Sequence, residues 1–582
     1  MVRPRRIFFW SLSRSVPDLL RGPMCAGMLA AGICTAAHAD GPLRGNPVDA
    51  LPPLEKPRTQ PPPARLEGRT PERSAVEARL AQRIVPRHFD VSGVHAIPFA
   101  EVSALLAPLA NKEISVGQLV QHTDRITALY RERGYPLSFA VVQNQSFEQG
   151  RVVVTVVEGY ISNVRIDGDA GSAAPRLNAL ARPLLREKPL TAATLERVLN
   201  LMRMVPGVSF KPALELPRRA DGATELVLDT RHKAFGANGG VVDLGTGMQP
   251  LLSASANSLT PLGEQTRLTG SVPLGTDDVR YIAGDITLPI GNDGLGLKID
   301  GFHYKARPED DAVEQLGFDR TVKTDRVGIG VSYPFLLDNR QSLTGTLGVY
   351  AVNAQDRYDL RGSDLWLRQD TRVRAATAEL RYITVAAARS TDIALSVSRG
   401  FDKFGADKHI DSNYGYSAVP NVDLDFTRWN LNAKQSFVLP AQFGLTLSAA
   451  GQYSDDVLPT SEQISFGSWR FGMGYPQGEQ SGDKGVGASA EVNRRFVIGM
   501  PLLSALQPYL LIDYARTWYN AAELKPYNTA HLSSVAIGMR VTDDRYYMFD
   551  FNVAKPIAAA SSEGDGRGWR FNANYSFYYN AI

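Results

Sequence analysis

The chain has 582 residues, 44% hydrophobic and 21% charged, with a mean hydropathy of −0.17; these values exclude a disordered or collagen-like protein. No stretch of about 20 residues is uniformly apolar, so no helix is expected to cross a membrane. The net charge of +3 comes from the first 39 residues, which hold five Arg and one acid, Asp18; without them the 63 basic and 60 acidic residues become 58 and 59, a charge of −1. That balance gives no bulk-charge argument for nucleic-acid binding.

Residues 1–39 read as a secretory signal. Arg3, Arg5, Arg6, Arg14 and Arg21 form a basic region, Met24 to Ala37 an apolar one, and Ala37-His38-Ala39 a cleavage site that places the mature start at Asp40. Both cysteines, Cys25 and Cys34, fall inside this segment, which removes disulfides and Cys-metal sites from the mature chain. Residues 40–84 read as a linker with a short helix. Nine prolines crowd the 32 residues from 40 to 71 and keep them extended, and 72–84 (ERSAVEARLAQRI) suits the helix.

Residues 85–160 read as a small α/β module. Ser115-Val116-Gly117-Gln118 matches a capping box, Leu119, Ile126, Leu129 and Tyr130 follow at helical spacing, and Gly134 ends the helix. Phe139–Val142 and Arg151–Val157 are two strands joined by a turn around Glu148-Gln149-Gly150. Residues 161–233 repeat the pattern, with a helix at 192–204 stopped by Pro206-Gly207 and a last strand at Glu225–Thr230.

From 234 to 582 the pattern changes to short alternating segments. Leu295, Leu297 and Ile299 alternate with Gly296, Lys298 and Asp300. Ile393, Leu395 and Val397 alternate with Asp392, Ala394 and Ser396. Trp569, Phe571, Ala573, Tyr575, Phe577 and Tyr579 share one face, and Arg570, Asn572, Asn574 and Ser576 the other. One apolar and one polar face fits a soluble sandwich or a membrane barrel with a wet lumen. Aromatics near segment ends and Lys, Asp, Arg and Asn on the polar face favour the barrel, and lipid permits no open sheet edge. The spacing divides the region into about 16 antiparallel strands of about 22 residues with their turns.

This order, signal, Pro-rich linker, two α/β modules and barrel, resembles the TpsB transporters of two-partner secretion, the haemolysin/filamentous-haemagglutinin secretion-activation family. Three motifs carry the resemblance. Tyr130-Arg131-Glu132-Arg133-Gly134-Tyr135 resembles the family's Y-x-x-x-G-Y, and Gln145, Gly150, Glu158 and Gly159 follow at family-like distances, as in its first polypeptide-transport-associated (POTRA) domain. Residues 465–485 (SFGSWRFGMGYPQGEQSGDKG) resemble the long loop that folds back into the pore, with Arg470, Gly472, Met473, Gly474, Tyr475, Gly482 and Asp483 as its motif. Met473 stands where the family has Arg. Asp513 in PYLLIDYAR faces the lumen by alternation and resembles the wall motif D-x-G, with Ala515 in place of Gly. The resemblance implies that Asp513 receives the loop's cation, and Arg470 is then the expected partner.

No G-x-x-x-x-G-K-[ST], H-E-x-x-H or G-x-S-x-G appears, so no nucleotide, metal, cofactor or enzyme activity is expected. The resemblance implies an outer-membrane pore with POTRA 1 at 85–160 and POTRA 2 at 161–233 in the periplasm and the barrel at 234–582. The expected partners are a secreted TpsA-type exoprotein and outer-membrane lipid, with no nucleic acid. An outer-membrane protein assembly factor of the same superfamily and a diffusion porin are the alternatives.

Overall fold

The structure, a computed structural model, describes residues 80–143, 145–217, 219, 221–243, 247–271, 274–275, 279–308, 313–314, 316–562 and 566–578. The expected signal and most of the linker lie outside these residues. The helix expected over 72–84 is corrected at its end: Arg83–Ile84 is a short strand, β1, and Ile84 is buried in the core of the first α/β unit. Ile84 is apolar and β-branched, and pairing β1 with Ile114–Ser115 (β3) buries it better than an exposed helix turn would.

The first unit contains β2 (His88–Ser92), α1 (Phe99–Leu106), α2 (Val116–Glu132), β4 (Phe139–Val141) and β5 (Arg151–Val157). Its three-stranded sheet has β5 in the centre, parallel to β2 and antiparallel to β4. Ser115 and Gln118 make the capping box that starts α2. Leu119, Thr123, Ile126 and Tyr130 then face the sheet at helical spacing. Burying each apolar side chain of that stripe stabilises the unit by about 1.5–3 kcal/mol.

The second unit repeats this plan with β6 (Tyr160–Gly168), α3 (Ala174–Arg186), α4 (Ala192–Arg203), β7 (Val208–Leu214) and β8 (Ala223–His232). Here β8 is central, parallel to β6 and antiparallel to β7. Leu195, Val198, Leu199 and Met202 are the buried face of α4, as their spacing predicts.

Apart from the short strands Ile464–Phe466 and Gln480–Gly482, the remaining strands, from Phe235–Asp243 to Arg570–Tyr578, close a 16-strand antiparallel barrel. The first and last strands join along Asn574↔Val242 to Tyr578↔Asn238. Three strands, Phe318–Leu337, Gln341–Leu360 and Trp366–Ala386, run for 20, 20 and 21 residues. The alternation sets the two faces. Leu347 and Val349 are 62% and 54% exposed and point outward, whereas Tyr350 and Val352 are buried on the inner side. Charged residues pair within the lumen, as Asp300 does with Arg326 and Arg320 with Asp356. An apolar outside and a paired polar inside is the arrangement lipid requires of a barrel.

The second unit is docked onto one end of the barrel. Arg197 of α4 donates to Asp293 Oδ1 at 2.9 Å and to the Pro334 carbonyl at 3.1 Å. Arg176 of α3 reaches the Gly291 carbonyl and Asn292. Leu337 packs against the apolar core of the unit.

Candidate functional site

Barrel strands Phe443–Tyr453 and Lys484–Arg494 pair directly with each other, from Phe443↔Arg494 to Gln452↔Gly485. Residues 454–483 therefore leave and re-enter the wall at the same end, opposite the α/β units. Instead of extending outward, this loop turns into the barrel. Within it, Ile464–Phe466 and Gln480–Gly482 form a two-stranded hairpin, and Ile464, Phe466, Ser468, Met473 and Tyr475 are all buried. The adjacent wall makes room through two inward glycines. A Cβ on Gly487 would lie 2.6 Å from the Phe471 ring, and one on Gly485 2.6 Å from the Ile464 methyl.

The tip of the loop is seated by backbone rather than by charge, on the wall strands that follow Lys484–Arg494. The Met473 N–H donates to Asp513 Oδ2 at 2.8 Å. The Ser534 N–H and hydroxyl donate to Asp513 Oδ1 at 2.9 and 2.6 Å. The Gly474 N–H donates to Ser534 Oγ at 3.1 Å. Asn572 Nδ2 donates to the Met473 carbonyl at 2.9 Å and Asn552 Nδ2 lies 3.8 Å from the Met473 sulfur. Tyr475 is fully buried, with its hydroxyl 2.9 Å from the Ala559 carbonyl and 3.2 Å from that of Ser533.

The expected Arg470–Asp513 ion pair is thereby corrected. Asp513 faces the lumen and receives the loop, but the donors on its carboxylate are Met473 and Ser534. Arg470 sits in a tight turn, its N–H bonded to the Gly467 carbonyl at 3.1 Å and its own carbonyl to the Gly467 N–H at 3.0 Å. With Met at 473, the group that reaches the carboxylate is the main-chain N–H, and the Met473 side chain packs against Ala536 and Ala554 instead.

Gly472 closes the turn before the tip, its carbonyl accepting the Tyr475 N–H at 2.8 Å. Asp483 fastens the base of the loop. Its carboxylate accepts the Leu458 and Asn520 N–H groups, each at 2.8 Å, and is fully buried. Gly482 passes so close to the wall that a Cβ would lie 2.7 Å from the Trp518 carbonyl.

The motif residues of the first unit gather around Glu158. Its Oε1 accepts the His95 and Ala96 N–H groups at 2.7 Å and the Tyr130 hydroxyl at 2.8 Å. Burial first, and this carboxylate second, push the Tyr130 hydroxyl well above the usual tyrosine range. Tyr135 packs edge-on to Tyr130 at 6.0 Å. Gln145 binds both main-chain groups of Val153, donating at 2.9 Å and accepting at 2.7 Å, so its side chain extends the sheet like a strand. Gly134 and Gly150 adopt positive φ of 86° and 72°. A Cβ on Gly159 would lie 2.4 Å from the Leu137 carbonyl. The Tyr130–Glu158 bond thus ties the helix to the segment that follows β5, while Gln145 holds the edge of β5.

Ser534, Asn552, Asn572 and Glu462 also hold the loop and are not singled out by the sequence motifs. Alternation places Asn552 and Asn572 on the polar face, but nothing local marks them as contacts of residue 473.

Comparison with known proteins agrees with this architecture. Residues 84–159 match the family model "POTRA domain, ShlB-type". Residues 252–541 match "Haemolysin secretion/activation protein ShlB/FhaC/HecB". The chain is 21% identical over 475 residues to the heme/hemopexin transporter protein HuxB of Haemophilus influenzae, covering 78% of this chain and 80% of the relative. It is 23% identical over 470 residues to the outer membrane transporter CdiB of Escherichia coli, covering 78% and 75%. The solved structure of CdiB from Escherichia coli superposes with a TM-score of 0.64 at 20% identity, covering 88% of this chain and 93% of that one. The matched family consists of transporters rather than enzymes. A POTRA-bearing, closed barrel with its long loop seated in the lumen, matched across both regions, places the chain in the haemolysin secretion/activation family, the outer-membrane transporters of two-partner secretion.

Proposed function

We propose that this chain exports one large, secreted partner protein of the TpsA type through its barrel, with the two POTRA units facing the periplasm and the loop of residues 454–483 gating the path. The observation that carries the reading is the loop itself. It enters from the end opposite the POTRA units and is held by the barrel wall at Asp513 and Ser534. A diffusion pore has no need of two α/β units, the second of them docked beneath it through Arg197 and Arg176.

The POTRA units offer free sheet edges, β2 and β4 in the first and β6 and β7 in the second, and an extended polypeptide can add to such an edge by main-chain pairing. The unfolded partner would be passed from these edges into the lumen as the loop is displaced, and its folding outside would bias movement outward. The lipid-facing belt, including Leu347, Val349 and Leu510, seats the barrel in the outer membrane. No nucleotide-dependent step is required.

Deleting residues 85–233 tests the docking role. The barrel is expected to insert in the outer membrane, shown by heat-modifiable mobility on gels, while export of the partner falls below detection. Export at a normal level would remove the POTRA units from the mechanism.

A further inference from the structure

The loop carries a second anchor, formed by charge, and its polarity is the reverse of the cation-on-loop arrangement that the sequence resemblance implies. Glu462, in the descending limb of the loop, is 2% exposed. Its Oε2 accepts the Tyr350 hydroxyl at 2.8 Å and lies 3.0 Å from Arg428 Nη1. The same Arg428 nitrogen donates to the Glu462 carbonyl at 2.9 Å, and Gln452 Nε2 donates to that carbonyl at 3.0 Å. Three hydrogen bonds and an ion pair thus converge on one loop residue, one hydrogen bond and the ion pair on its carboxylate and two hydrogen bonds on its main chain.

The positions of these partners show what the contact does. Tyr350 belongs to wall strand Gln341–Leu360 and Arg428 to strand Thr427–Val438, with strands Trp366–Ala386 and Arg389–Gly400 between them. The tip, by contrast, is held by Asp513, Ser534 and Asn572 on strands Leu503–Trp518, Leu532–Thr542 and Arg570–Tyr578. The loop is therefore pinned to two separate sectors of the wall. At the tip sector, the donors on the Asp513 carboxylate are uncharged amide and hydroxyl groups. At the other, a carboxylate on the loop meets a guanidinium on the wall.

We infer that Glu462, Arg428 and Tyr350 form the electrostatic latch that positions the pore loop, and that they do the work that a tip cation on Asp513 would do. A buried ion pair of this kind resists opening because withdrawing the loop takes the Glu462 carboxylate away from both Arg428 and Tyr350, and breaking a buried pair costs more than breaking an exposed one. The latch can break as a unit, since its members leave the tip cradle untouched. This inference rests on the reading that the loop obstructs the pore, and the measurements below separate the two.

The test is single-channel recording of the full-length protein in planar bilayers, on variants whose heat-modifiable mobility shows a folded barrel. Glu462→Gln and Arg428→Gln are each expected to raise the fraction of time spent open at least tenfold. The swapped pair, Glu462→Arg with Arg428→Glu, is expected to return it to within about threefold of the parent, which a merely structural role would not predict. Tyr350→Phe removes a single hydroxyl and serves where the charge variants fail to fold; its expected effect is a severalfold rise in open time. Parental gating in Glu462→Gln or in Tyr350→Phe overturns the latch. A swapped pair as leaky as the single variants also overturns it, because pairing is then not the cause. Gating that is unchanged in Asp513→Ala as well would instead overturn the obstructing loop itself.

Discussion

Asp513→Ala is expected to unseat the loop tip and reduce secretion of the partner at least tenfold, with frequent channel openings in planar bilayers. The carboxylate accepts three hydrogen bonds, from the Met473 N–H, the Ser534 N–H and the Ser534 hydroxyl. Removing it strands donors in a buried site, and each stranded group costs about 1–3 kcal/mol. A total near 3 kcal/mol shifts the seated-to-unseated ratio by about a hundredfold, at about 1.4 kcal/mol per tenfold. Asp513→Asn is expected to be nearly as damaging. All three partners are donors, so the amide NH2 must face one of them. Secretion at the parental level in both variants would mean that the tip is held without Asp513.

Gly474→Val is expected to produce the same loss by a steric route. Gly474 does not need an unusual backbone angle, since it is not among the glycines with positive φ. It needs space, because a Cβ would lie 2.6 Å from the Pro556 nitrogen and 2.8 Å from the Lys555 carbonyl carbon. Those are main-chain atoms of a paired wall strand and cannot withdraw as a flexible side chain would. The tip must lift instead, breaking the Gly474–Ser534 and Met473–Asp513 bonds together. Because both substitutions empty one seat, the double variant is expected to be little worse than either single one. Losses that add would show that Gly474 and Asp513 act at separate places.

Periodicity explains how much of this was legible before any coordinates. A side-chain period of two is a local property, so the outward Leu395 and inward Ser396, or outward Phe571 and inward Asn572, can be read from consecutive residues. The capping box at Ser115 and Gln118 is local too, and α2 begins there. Turn spacing marked the number of strands, because each antiparallel connection leaves its own polar or glycine signal. The site was legible only in part. Alternation shows Asp513 as lumenal, since lipid cannot accept its carboxylate cheaply, and the family resemblance implies that it receives the loop. Its partner was not legible, because proximity in sequence suggested Arg470, whereas the turn closed by Gly467 and Arg470 fixes which groups descend to the wall. The Glu462–Arg428 contact joins residues 34 apart, and Asn572 meets Met473 across 99. Such contacts depend on barrel closure and on the loop folding inward, and a single sequence holds no periodic trace of them.

The central claim is that the partner travels through the lumen. It is tested most directly by placing a photo-crosslinking residue at adjacent inward and outward positions and stalling a partner during export. Ser396 and Lys434 face the lumen by alternation, while Leu395, next to Ser396, and Leu431, on the same strand as Lys434, are 45% and 44% exposed on the lipid-facing side. The partner is expected to crosslink from positions 396 and 434 and not from 395 and 431. Crosslinks from the outward positions, or from neither set while export proceeds, would contradict passage through the barrel.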